Sequence, residues 1–147
     1  MVLVDDALLL ALIAERDEPS IAPYLALVAA GEVFTTGSWF WRLARALSGP
    51  ARGVLSRQLE TLGEDERQRV RVALADLPPE IGLLSLRRLV PVMSALGGQL
   101  NLLTAEAIAA AVVLESEIAV TTESPLLAQA AAAAGVTVRV LPIFGSP

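Results

Sequence analysis

The run Val2-Leu3-Val4 is apolar at consecutive positions and is closed abruptly by Asp5 and Asp6. A strand without polar alternation has no solvent face, so it belongs inside a sheet covered on both sides, the setting of parallel α/β sheets. The last third of the chain points the same way. Leu103 to Glu115 reads as a helix with Thr104 at its start and Glu106 in its first turn, and Glu117 to Thr122 reads as a strand. Pro125 to Ala134 follows as a helix stopped by Gly135, then Val136 to Leu141 as the final strand. Helix and strand alternating over short connections pair in parallel through right-handed crossovers. The expected class is α/β, in a single domain spanning 1–147.

Between these ends the pattern is mostly helical. Leu8 to Glu15 is apolar nearly all round and predicts a well-buried helix. Ile21 to Ala30 is a second helix closed by Gly31, and Glu32 to Thr36 a short strand. Ser38 is the expected N-cap of a helix over Trp39 to Leu47, which the break Ser48-Gly49-Pro50 ends. Ala51 to Leu62 and Glu64 to Leu77 are helices with Arg-rich faces, separated by Gly63. Ile81 to Leu86 reads as a strand and Arg87 to Leu96 as a helix, while the tail Phe144 to Pro147 is expected to fray.

Composition narrows the chemistry. The chain has no cysteine and no histidine, which excludes a disulfide framework, a thiolate nucleophile, an imidazole base and the usual zinc site. Any reaction must rest on carboxylates, hydroxyls, arginines or a hard metal ion. All eleven basic residues are Arg, suited to bidentate contacts with phosphate or carboxylate. Residues 1–41 hold six acids against one Arg, 42–88 nine Arg against six acids, and 89–147 four acids against one Arg. The basic middle is either a solvated set of helical ion pairs or a phosphate-holding surface beside an acidic pocket. No run approaches the roughly 20 apolar residues of a membrane span, and the N-terminus lacks a basic leader, so a cytoplasmic protein is expected.

Three acids carry the functional expectation. Groups just beyond the carboxyl ends of parallel strands line the ligand crevice of open α/β sheets, and Asp5 stands there. Glu123 follows the strand Ile118-Ala119-Val120-Thr121-Thr122 in the same position, and Glu106 lies near the start of the helix leading into it. If the first strand pairs beside this one, the three carboxylates can converge. Clustered carboxylates repel one another unless a cation joins them, and oxygen-only ligation suits Mg²⁺ or Mn²⁺. Each acid also has a purely structural use: Asp5 or Asp6 as cap of the first helix, Glu106 as partner of a helix dipole, Glu123 as cap of the helix at Pro125.

Val2-Leu3-Val4-Asp5 with its apolar helix, Thr104-Ala105-Glu106-Ala107, and Ala119-Val120-Thr121-Thr122-Glu123 followed by Leu126 together resemble the acidic motifs of PIN domains. The resemblance is strongest over 1–15 and 103–141. It implies a three-layer α/β/α sandwich around a central, mainly parallel sheet. It also implies a Mg²⁺- or Mn²⁺-dependent ribonuclease of the kind that includes toxins paired with antitoxins. On that basis Asp5, Glu106 and Glu123 fall on metal-site positions, with Thr122 and Asp6 in support and Arg42 and Arg45 available to RNA.

The chain also departs from the family pattern. Glu replaces Asp at the two later positions, and the helix after the second strand, Ser38-Trp39-Phe40-Trp41-Arg42, carries no acid. An Arg near the pocket competes with a metal ion outright. The alternative is therefore a PIN-like domain without catalysis that binds protein or RNA. In that reading Trp39, Phe40 and Trp41 anchor a partner or a homodimer, unless they simply fill the core. A guanidinium from Arg42 or Arg45 in the pocket would tell against the nuclease.

Overall fold

The computed structural model describes residues 1–49, 53–98 and 100–142. The elements are β1 (Val2–Val4), α1 (Asp6–Ala14), α2 (Ala22–Ala29), β2 (Val33–Thr36), α3 (Gly37–Ser48) and α4 (Val54–Glu60). They continue as α5 (Glu64–Ala75), β3 (Ile81–Leu84), α6 (Leu86–Leu96), α7 (Leu102–Leu114), β4 (Glu117–Val120), α8 (Pro125–Ala134) and β5 (Val138–Val140). The five strands form one sheet in the order β3-β2-β1-β4-β5, with every pairing parallel. Helices cover both faces, so the expected α/β/α sandwich is the observed architecture.

The first strand is central, as its unbroken apolar run demands. Leu3 pairs with Phe34 on one side and Ile118 on the other, and all of β1 is buried. Side chains alternate across the sheet. Val2, Val4, Val33, Ile81 and Ala119 face a core closed by α1, α2, α5 and parts of α3 and α4. Leu3, Phe34, Leu84, Ile118 and Val120 face the second core, closed by α6, α7 and α8. All nine residues of α1 are buried, and Leu8, Leu9 and Leu10 are fully enclosed. Each such side chain stabilises the fold by about 1.5–3 kcal/mol of apolar burial. At Gly82 the backbone passes directly beneath the Phe34 ring, and a Cβ there would overlap it.

Several boundaries differ from the sequence expectation. Thr36, not Ser38, caps α3: its hydroxyl accepts from the Trp39 amide at 3.2 Å, so the helix starts at Gly37. Asn101 caps α7 by accepting from the Thr104 amide, which places Glu106 in the second turn instead of the first. Ser124 caps α8 and leaves Glu123 outside it. β3 stops at Leu84 because Ser85 already serves as the N-cap of α6. The helix expected from Ala51 begins at Val54 within the described residues; Ala51 and the tail Phe144 to Pro147 lie outside them. Among the described residues no helix is long and apolar enough to cross a membrane.

The topology fixes where a ligand would meet the sheet. From β1 the chain winds outward through β2 to β3, then returns to the other side of β1 for β4 and β5. The direction reverses between β1 and β4. In open parallel sheets the crevice forms at that reversal, beyond the carboxyl ends of the two strands.

Candidate functional site

A cavity of about 290 Å³ opens at this point. Asp5 and Asp6 from the end of β1, Thr121, Thr122 and Glu123 from the end of β4, and Arg42 from α3 line it. Trp39, Leu55, Leu103 and Leu127 supply apolar walls, and Gln58 of α4 faces the same space. The pairing of β1 with β4, on which convergence of the acids depended, is observed. The convergence itself is only partial.

Asp5 is committed to the backbone. One carboxylate oxygen accepts from the Leu8 amide at 2.8 Å, capping α1. The other accepts from the Thr121 amide at 2.9 Å and from the Thr121 hydroxyl at 3.2 Å, tying β1 to the end of β4. Burial pushes its carboxyl up to about 6 and the neighbouring Asp6 adds to the rise, while the Leu8 and Thr121 hydrogen bonds oppose it. Asp5 is therefore both the helix cap and a strap across the topological switch point.

Asp6, the first residue of α1, is also buried and lines the same cavity. One oxygen accepts from the Ala7 amide at 2.9 Å. The other lies 3.3 Å from Arg42 Nε, close enough for attraction but without a hydrogen bond to any described group. Burial raises its carboxyl above the ordinary range, and the Arg42 guanidinium holds the rise down. The Arg42 side chain is 53% exposed, so it covers the mouth of the cavity with its far end in solvent. Arg45 lies one turn further along α3, exposed and outside the cavity lining.

Glu106 does not face the cavity. It is 1% exposed, and its carboxylate accepts from the Ser38 hydroxyl at 2.6 Å and the Ser38 amide at 3.3 Å. The carboxylate sits against the first turn of α3, where orphan amides and the positive end of the helix dipole favour an anion. Gly37 makes room for it, since a Cβ there would stand 3.3 Å from Glu106 Oε1. Ser38 is thus the donor to a buried acid from another element, a role its sequence position beside Gly37 does not announce.

Glu123 and Thr122 are exposed at the rim. Among the described residues no group of three or more carboxylates stands where it could hold one metal ion. The donor set does not fit the Mg²⁺ or Mn²⁺ site that the resemblance implies. Asp5 already accepts three hydrogen bonds, Glu106 is turned into α3, and the Arg42 guanidinium puts a positive charge 3.3 Å from Asp6. Trp39 is buried and lines the cavity, while Trp41 is 64% exposed, so the aromatic cluster splits between core and surface. Gln58 is 8% exposed with its amide oxygen unpartnered among the described residues. Sequence reasoning missed it because it lies in an Arg-bearing helix that reads as a solvated face.

No family model and no curated protein matches this chain. What the structure itself defines is a parallel α/β domain with a polar, partly acidic cleft at its switch point.

Proposed function

We propose that this chain is a PIN-like domain that binds single-stranded RNA at its cleft without cleaving it. The observation that carries this reading is Arg42, which lines the cavity and whose guanidinium lies 3.3 Å from Asp6. The resemblance of residues 1–15 and 103–141 to the acidic motifs supports the family assignment. Against cleavage stand the three engagements of Asp5 and the burial of Glu106 against Ser38.

Binding without chemistry needs a phosphate contact and a place for a base. Arg42 and Arg45 are exposed one turn apart on α3 and face phosphates as neighbours on one helix side. The overall charge of −5 disfavours diffuse attraction to a polyanion, so contact is local. Two phosphate contacts on a single strand give a shallow salt dependence, with a log–log slope of about −1.4. A second reading, a protein partner such as an antitoxin or a second copy, is favoured by Trp41, a large aromatic left 64% exposed.

The test is to incubate a mixed RNA pool with Mg²⁺ or Mn²⁺ and either the protein or its Asp5→Asn variant. The expected result is intact RNA, with binding weakened when Arg42 and Arg45 are both replaced by Ala. Metal-dependent cleavage that disappears in Asp5→Asn would return the chain to the nucleases. Binding that ignores both arginines would leave the protein-partner reading.

A further inference from the structure

We infer that Trp41 stacks a base of the bound single strand as it leaves the cleft, with Arg42 and Arg45 holding the phosphates between Trp41 and the cleft mouth; this rests on the binding reading above. Each residue of an α-helix is rotated by about 100° from the one before it. Going round α3 from Trp39, the order on the helix surface is therefore Arg42, Arg45, Trp41. Trp39 is buried and lines the cavity, and Arg42 lines it with its side chain 53% exposed. Arg45 is exposed and Trp41 is 64% exposed. The four positions form one arc that begins in the cleft and ends on the open surface of the domain.

The chemistry of the arc selects the ligand. An indole left in water is a large apolar surface without a partner. Its flat faces suit a nucleobase, and such stacking tolerates any base because every base has a π-face. Arginine beside it supplies a planar pair of donors that matches a phosphate. Among the described residues no carboxylate lies within ion-pair distance of Arg45, so its guanidinium is not committed elsewhere. Asp6, 3.3 Å from Arg42 Nε, holds that arginine at the mouth as the first phosphate contact outside the cleft.

A protein partner would use the same tryptophan differently. Aromatic anchors of protein interfaces are ringed by contacts that exclude water. The neighbours of Trp41 three and four residues away on α3 are Gly37, Ser38, Ala44 and Arg45, and no other large apolar side chain of α3 is exposed. The ring stands alone among small residues and positive charge, a setting that complements a polyanion carrying flat bases. The chain as a whole carries −5, so this local arc makes the contact and diffuse attraction does not.

The experiment is a fluorescence and calorimetric titration of the full chain in EDTA with an RNA hexamer of mixed sequence and with a hexamer of the same backbone lacking bases. The RNA is expected to bind and quench tryptophan emission; the base-free strand should bind about tenfold more weakly and leave the emission unchanged. Trp41→Ala should weaken the RNA about tenfold and leave the base-free strand as it was. Trp41→Phe keeps a ring, so it should retain most of the affinity yet lose most of the quenching, because the remaining Trp39 is buried. Trp41 is exposed, so both variants should fold as the wild type does. RNA bound by Trp41→Ala at full affinity, RNA bound without quenching, or a Trp41→Phe as weak as Trp41→Ala would overturn this inference and leave the binding reading standing. A wild type that is dimeric and made monomeric by Trp41→Ala would overturn it too, assigning the ring to a second copy. No RNA binding by the wild type at all would refute the binding reading and this inference with it.

Discussion

Lowering the pH from 7.5 to 5 should stabilise this protein through Asp5, against the common trend for buried acids that make salt bridges. The Asp5 carboxyl rises from 3.8 to about 6 on folding because it leaves water beside Asp6. Its folded pKa exceeds its unfolded one, so the folded state holds more protons between those values. The favourable contribution is complete below about 4 and is lost as the pH rises through 6. The full difference is about 3 kcal/mol, of which about 1.4 kcal/mol is recovered between pH 7.5 and 5. For a chain of this size that is a rise in Tm of about 3–5 °C. The assay is urea or thermal unfolding of the wild type and Asp5→Asn across pH 4.5–8. Asn cannot titrate, so subtracting its curve removes the contributions of the other acids, except where they couple to Asp5. The subtracted curve should be flat above about 7, bend near 6 and climb toward acid below it. A flat difference, or one that falls toward acid, would refute the claim that burial dominates the hydrogen bonds from Leu8 and Thr121.

Glu106→Gln should destabilise by about 1–2 kcal/mol, since it removes the charge from the α3 terminus and one acceptor from Ser38; urea unfolding reads this directly. A variant as stable as wild type would show that the Ser38 contact contributes nothing. Gly82→Ala forces a Cβ into the Phe34 ring and should cost about 1–3 kcal/mol in the same assay, whereas a neutral result would mean the ring turns aside freely. Gln58→Leu should gain about 1 kcal/mol by removing an unpaired buried acceptor, and a loss of stability would mean that this amide is satisfied in solution.

The architecture was legible because its signals are local and strong. An apolar run with no polar alternation forces β1 to the sheet centre, and Gly135 and the Ala-rich body of α8 mark the final crossover. The capping residues were less so: Thr36 caps α3 in place of the equally suitable Ser38, and Ser124 caps α8 in place of Glu123, because the cap falls where the backbone is extended just ahead of the first helical residue. The site was half legible. Strand ends pointed to Asp5 and Glu123 as residues lining the crevice, on the condition, met in the structure, that β1 pairs with β4; Thr122 was named only through the family resemblance. That Glu106 would turn to Ser38, one helix away, depends on the packing of α7 against α3, which no short-range pattern encodes. Gln58 was invisible for the same reason, because only the closure of α4 over the cleft buries it.

The central claim, that this cleft does not hold a catalytic metal, is tested most directly by Mn²⁺ electron paramagnetic resonance on the wild type and Glu106→Gln at neutral pH. The account predicts that free Mn²⁺ falls no further with protein than with buffer through the low-millimolar range, and that the variant behaves identically. One stoichiometric ion bound by the wild type and lost in Glu106→Gln would contradict it, because Glu106 would then have to leave Ser38 and enter the cleft.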